Sequence, residues 1–283
     1  MTWTPEALRP VSTGTLPDWL LIGAPKSGTT SLSAWLGHHP DVWATQFKEL
    51  HYFDSDDNYA RGPQWYSSFF ADAGPEQKAG EATPSYLHHR QAPARVAALV
   101  PGAVLLAVLR HPVDRAYSHY WHQRNWGADL PEFPELVALA LAGDPALQHF
   151  ITRGDYAEQL ARWESAGLHP YVHLFEDLAE APHQVFADVC DQLGVRRVSV
   201  PTVGSVLNPS HRRRSPRLRR VMERTRSWQR APQLSKRLDR WNTQEVRYPP
   251  MRLATRAALL ERYAPGTDRL RARLGRSLDG WSA

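Results

Sequence analysis

The chain has 283 residues, a hydrophobic fraction of 42%, 11 tryptophans and a formal net charge of +5, which suits one large or two small folded domains and excludes a disordered or fibrous protein. A single cysteine, Cys190, excludes a disulfide framework and any cysteine-rich zinc or iron–sulfur site, and fits a reducing, cytoplasmic setting. The longest uncharged apolar run, 14 residues between Arg95 and Arg110, is interrupted by Pro101-Gly102 and is too short to span a bilayer, so a soluble protein without membrane insertion is expected.

Residues 1–17, with Pro5, Pro10 and Pro17, read as an extended arm, and 18–283 as a single α/β domain. Asp18–Ile22 is a short apolar run before Gly23-Ala24-Pro25, which predicts a buried strand. After Gly28, Leu32, Trp35 and Leu36 recur at helical spacing, giving strand, glycine turn, helix. Glu49–Phe53 reads as a second strand. Ala92–Val100 is predicted helical, Val104–Leu109 a strongly buried strand, and Val113–Gln123 a helix that Pro112 helps to start. Asp155–Ala166 is an amphipathic helix, Tyr171–Phe175 a strand, and Ala181–Leu193 a helix stopped by Gly194. Residues 208–283 are expected to be mainly helical, with a long helix around Leu253–Tyr263 and a tail Leu274–Trp281. Strands alternating with helices imply a P-loop-like, mostly parallel sheet flanked by helices, with a helical C-terminal segment.

The sharpest local motif is Gly23-Ala24-Pro25-Lys26-Ser27-Gly28-Thr29-Thr30-Ser31. Backbone N–H groups of such a turn, together with the helix N-terminus, cradle a phosphate. The spacing of Gly23 and Gly28 matches the start of a nucleotide P-loop, but Thr29 stands where that motif has its lysine, and Lys26 comes earlier. A kinase or NTPase also needs a carboxylate for Mg²⁺ near a neighbouring strand end. Val104–Leu109 ends instead in Arg110-His111-Pro112, which points to a second anion bound directly. Arg110 and Ser118 can reach one phosphate, through a forked guanidinium and a hydroxyl. Lys26 is suited to stabilise charge on a leaving oxygen. In Lys48-Glu49-Leu50-His51, the expected strand puts Glu49 and His51 on one face, and a carboxylate shielded from water there can serve as a base, although a Glu-x-His pair by itself is more often a surface or packing feature. Lys48 is a candidate acceptor or anion contact, and a solvated strand-end lysine accounts for it equally well.

The charge surplus is local. Nine arginines against one acid, Glu223, stand between Asn208 and Arg230. Such a stretch is compatible with a nucleic-acid-binding module, although a solvated helix face accounts better for Arg217–Arg230. The 13 histidines show no metal-ligand spacing, so no metal is expected.

The turn PKSGTT, the stretch LRHPVDRAYSHYW and the stretch KELHYFD together resemble the sulfotransferases that use 3′-phosphoadenylyl sulfate (PAPS), most closely the heparan sulfate and tyrosylprotein branch and its bacterial members. The resemblance covers roughly residues 18–195, with weaker echoes in RYPPMRLATRAALLERY and LGRSLDGW. It implies that the turn, with Lys26, Ser27, Gly28, Thr29, Thr30 and Ser31, wraps the 5′-phosphosulfate, and that Arg110 and Ser118 hold the 3′-phosphate. It also implies that Glu49 is the catalytic base, with His51 beside it. A late basic loop reaches the nucleotide in related enzymes, which singles out Arg212–Arg214, here Arg213. PAPS is then the co-substrate, without metal, and the acceptor is a hydroxyl or amine on a small natural product, glycan or lipid. Nucleic acid is not expected as a partner, and the oligomeric state stays open. Glu81-Ala82-Thr83-Pro84-Ser85-Tyr86 resembles a family stretch in which 3-O-sulfotransferases carry lysine at the second place; Ala82 there argues against a highly anionic polysaccharide acceptor.

Overall fold

The computed structural model describes residues 15–205, 211–213, 243–245 and 248–281. Five strands, β1 (Trp19–Gly23), β2 (Val42–Ala44), β3 (Lys78–Ala82), β4 (Val104–Leu109) and β5 (Tyr171–Leu174), pair in parallel in the order β2-β3-β1-β4-β5. From β1 the chain passes to the edge strand β2, returns inward to β3 beside β1, and then crosses to β4 and β5 on the other side. The crevice between the ends of β1 and β4 is therefore the switch point where open α/β sheets bind ligands.

The helices are, in chain order, α1 (Thr29–Leu36), α2 (Asp56–Tyr59), α3 (Gly62–Ser67), α4 (Ala92–Leu99), α5 (Pro112–Asn125), α6 (Phe133–Leu141), α7 (His149–Thr152), α8 (Tyr156–Ser165), α9 (Phe175–Glu180), α10 (Pro182–Leu193) and α11 (Leu253–Leu274). Alternation along β1 sorts them onto the two faces of the sheet. Leu20 and Ile22 pack with Leu105, Ala107 and Leu109 against Val96 of α4 and Leu160 and Trp163 of α8. Trp19 and Leu21 pack with Leu106 and Val108 against Leu32 and Trp35 of α1 and Phe186 and Val189 of α10. A third cluster joins Val113 and Tyr120 of α5, Leu136 of α6, Phe150 of α7, and Leu259 and Tyr263 of α11. Each fully buried leucine contributes about 1.5–3 kcal/mol.

Local chemistry sets the ends of these elements. Pro112 opens α5, where His111 Nδ1 accepts the Val113 N–H at 3.2 Å. Gly194 ends α10 in the left-handed conformation (φ 67°), its N–H bonded to Asp191 O and Cys190 O. At the β1–β3 contact only glycine fits at position 80, because a Cβ there would overlap the Trp19 ring.

Three sequence expectations need amendment. β2 and β3 add two strands to those the apolar pattern predicts. Glu49–Phe53 is not a strand: the backbone turns through left-handed Glu49 (φ 39°) and His51 (φ 51°), while Leu50, Tyr52 and Phe53 are buried. In the segment expected to be helical, α11 is a helix, longer than the sequence predicts, while β6 (His211–Arg213) and β7 (Thr243–Glu245) form an antiparallel pair beside α5. The rest of 206–247, including Arg217–Arg230, and the arm up to residue 14 lie outside the described residues. Among the described residues no helix is long and apolar enough to cross a membrane.

Candidate functional site

β1 delivers the chain to the switch point, and the turn that follows curls because Lys26 (φ 72°) and Gly28 (φ 89°) are both left-handed. Alternating handedness of this kind gathers successive N–H groups into an anion-binding concavity. Gly28 is the N-cap of α1, and a Cβ on it would meet the Phe175 ring at 3.0 Å, so both conformation and space require glycine. Ser27 is fully buried beside the Tyr156 hydroxyl, Thr29 is buried, and Thr30 and Ser31 are half-buried at the start of α1.

Three cations converge on this turn. Lys26 is pushed down to about 8, mainly by burial and then by Arg110 and Lys48, with Glu49 pulling the other way. Lys48 Nζ donates to Thr30 Oγ1 at 2.5 Å, and burial of its ammonium lowers its pKa as well. Arg110, at the end of β4, lays its guanidinium over the Phe175 ring at 4.7 Å and donates to Lys26 O at 3.4 Å. Its carbonyl accepts the Tyr156 hydroxyl at 3.0 Å, which ties the backbone at Arg110 to α8.

The second half of the site is the loop of residues 49–54. His51 stands between two carboxylates, with Nε2 3.5 Å from Glu49 Oε2 and Nδ1 3.1 Å from Asp54 Oδ2. The hydrogen bond to Asp54 is the main reason the His51 pKa is raised. Burial pushes Asp54 up, but hydrogen bonds from His51 and Ser85 prevail and hold it below the usual carboxylate range. The Glu49 side chain is 39% exposed, more open than the shielded carboxylate expected from sequence.

A buried carboxylate supports this loop from beneath. Glu81 on β3 accepts the hydroxyls of Thr83 (2.6 Å), Tyr86 (2.7 Å) and Tyr66 (3.0 Å). Burial raises its pKa against those three bonds. Tyr86 in turn accepts the Tyr52 N–H at 2.9 Å, and Asn58 Nδ2 donates to Leu50 O and His51 O, each at 3.2 Å. Glu49 and His51 are therefore brought together by a braced turn, not by a strand.

Of the sequence-named residues, the structure gathers Lys26, Lys48, Glu49, His51, Arg110 and the turn 27–31 around one crevice. Ser118 is half-buried on α5, two turns beyond Arg110. Arg213 lies in β6, whose backbone alone is described. Ala82 is 3% exposed and belongs to the core beneath the crevice, so its identity does not set the charge of an open surface. Asp54, Ser85, Tyr156 and Phe175 join the site without having been marked by the sequence. A histidine three residues before an aspartate in the motif stretch was the available signal for Asp54; the others depend on long-range packing. Among the described residues no group of three or more His, Cys, Asp or Glu is arranged to hold a metal ion.

Comparison with known proteins follows the same pattern. The family model for the sulfotransferase domain matches residues 16–206. The bifunctional heparan sulfate N-deacetylase/N-sulfotransferase 4 of Mus musculus is 35% identical over 162 residues, covering 52% of this chain and 18% of that protein. The heparan sulfate glucosamine 3-O-sulfotransferase 6 of Homo sapiens is 35% identical over 187 residues, covering 64% of this chain and 53% of that protein. The chain thus matches under a fifth of the bifunctional proteins and about half of the 3-O enzyme. The crystal structure of a sulfotransferase from Alicyclobacillus acidocaldarius, 26% identical, superposes with a TM-score of 0.71 over 95% of this chain and 100% of the other.

Proposed function

The chain belongs to the sulfotransferase domain family, and on that premise we propose that it moves the sulfuryl group of PAPS to a hydroxyl or amine of a small natural product, glycan or lipid. The observation that carries the reading is the convergence of Lys26, Lys48 and Arg110 on a left-handed glycine turn, where burial first, and then the two neighbouring cations, push Lys26 down to about 8. Such a cluster is complementary to a phosphosulfate and a further phosphate. The position that a Mg²⁺-dependent NTPase fills with a carboxylate is held by Arg110, which supports a metal-independent transfer over the kinase reading.

In the proposed reaction Glu49 takes the proton of the acceptor O–H or N–H as that oxygen or nitrogen attacks sulfur. The bond from sulfur to the bridging oxygen breaks, adenosine 3′,5′-bisphosphate leaves, and Lys26 donates to the oxygen on which charge develops. His51, polarised by Asp54, holds Glu49 in place through their 3.5 Å contact. Arg110 and Ser118 take the 3′-phosphate, and β6 beside α5 puts the backbone at Arg213 near the same helix. A reducing cytoplasmic setting is consistent with Cys190, which is buried with its thiol pushed up to about 11 by burial.

Calorimetry tests the nucleotide assignment. Adenosine 3′,5′-bisphosphate should bind at least tenfold tighter than AMP, a difference of roughly 1.4 kcal/mol or more, and Arg110→Ala should remove the difference. Equal binding of both nucleotides by the unmodified chain rejects the 3′-phosphate role. Glu49→Gln should lower turnover by about two orders of magnitude or more, with nucleotide affinity nearly unchanged.

A further inference from the structure

Behind the loop that carries His51 lies a group of buried donors that the proposed chemistry does not use. Arg115 of α5 is fully buried, and its Nη2 donates to Phe150 O. Its Nε and Nη1 make no well-formed hydrogen bond, although the Tyr263 hydroxyl alongside interacts with the guanidinium. One helical turn on, His119 is 3% exposed. Arg153 Nη1 approaches His119 Nε2 at 3.4 Å and Gln123 Nε2 approaches the same nitrogen at 3.5 Å. Both neighbours can only donate, so Nε2 accepts and the ring proton sits on Nδ1. That buried Nδ1–H has no acceptor, nor do Arg153 Nε or His88 Nδ1.

The charges point the same way. Arg115 and Arg153 act together on His88, His119 and His149: burial first, and then these two guanidiniums, push His119 far down and His88 to about 3. The nearby carboxylates are already engaged, Asp155 by Arg262 at 2.9 Å and Asp54 by His51 and Ser85. Among the described residues neither Arg115 nor Arg153 forms an ion pair. Asp155 and Asp54 act on these guanidiniums through space only, and two adjacent guanidiniums, one of them fully buried, are costly with no carboxylate in contact. Everything left unpaired at these four side chains is a donor or can present one.

We propose that Arg115, Arg153, His119 and His88 form an internal site for a small inorganic anion of the halide or sulfate class, reached from the half-buried side of Arg153 and His88. The site shares no side chain with the turn at Lys26, although the Arg115 charge is felt at Arg110, and its existence does not depend on the sulfotransferase reading. Anomalous diffraction from crystals of the full chain soaked in bromide locates it. A bromide peak in contact with Arg115 and His119, absent in Arg153→Gln, is the expected result. In solution, adding sulfate at constant ionic strength should raise Tm by roughly 3 °C or more. Arg153→Gln should cancel that rise, and Lys26→Ala, which disables only the phosphate turn, should keep it. A rise lost in Lys26→Ala and kept in Arg153→Gln assigns the effect to the turn and overturns the proposal. So does density at Arg115 that is water alone, with no anomalous signal. Should Arg153→Gln fail to fold, the bromide map of the unmodified chain decides.

Discussion

Lys26 enters the site with its ammonium already weakened, its pKa pushed down to about 8 by burial and then by Arg110 and Lys48. Between that value and the ordinary 10.5 the unfolded chain binds more protons than the folded one. Lys26 therefore makes the folded chain relatively more stable as pH rises through this window. Binding runs the other way. A phosphate beside Lys26 restores its proton affinity, so affinity for adenosine 3′,5′-bisphosphate should fall by up to about tenfold per pH unit above pH about 8. Calorimetry across that range should show the fall in the unmodified chain and its absence in Lys26→Met. His51 has the opposite sign. Its pKa is raised, first by the hydrogen bond to Asp54, so its stabilising contribution is complete below its ordinary value near 6.5 and is lost as pH rises through the raised one. In Asp54→Asn, the His51 ring should titrate at lower pH by NMR. These residues also show what local sequence can convey. Lys26 and Arg110 are legible because each belongs to a short motif next to a strand end. Ser85 is not, because it matters through Asp54 and His51, 31 and 34 residues away.

At the scale of the element, the decisive piece is β3. Its sequence, Lys-Ala-Gly-Glu-Ala, is poor in the branched and aromatic residues that mark strands, and it forms a strand only because β1 and β2 flank it. Local pattern alone therefore does not reveal it. At Glu49–Phe53 the error has the opposite sign, since apolar residues there mimic an alternating run; the turn is set by the distant Tyr86 hydroxyl and by Asn58 in the following segment. By contrast β1, β4, α5 and α10 declare themselves through their own apolar spacing and through Pro112 and Gly194. Two substitutions in β3 probe its role. Glu81→Ala leaves three buried hydroxyls without their acceptor and should cost about 2–4 kcal/mol in urea denaturation, with turnover falling because the loop above is no longer braced. Gly80→Ala drives a methyl into the Trp19 ring and should destabilise by about 3 kcal/mol in the same assay.

For the whole molecule, the crevice depends on chain far removed from its motifs. α11 pairs Arg256 with Asp114 and Arg262 with Asp155, each at 2.9 Å, and buries Leu259, Tyr263 and Leu270. The exposed ion pairs add little; the apolar burial dominates. Trp281 rests beside His111 and Tyr156, with ring centroids 6.0 Å away in both cases, and so backs the turn that presents Arg110. Trp281→Ala should cost about 3 kcal/mol and weaken nucleotide binding measurably by calorimetry. A chain cut before Leu253 should lose a cooperative thermal transition by circular dichroism, since the apolar surface removed rivals the net stability of a typical domain.

The position of Trp281 also bears on how the protein is made. A ribosome releases the glycine turn, Glu49 and Arg110 long before the tryptophan that backs them. During synthesis these groups are thus present in an unfinished crevice, with Tyr156 and His111 still uncovered and their apolar neighbours open to other chains. The crevice is complete only once Trp281 has emerged, and products interrupted before it carry the motifs without the finished pocket.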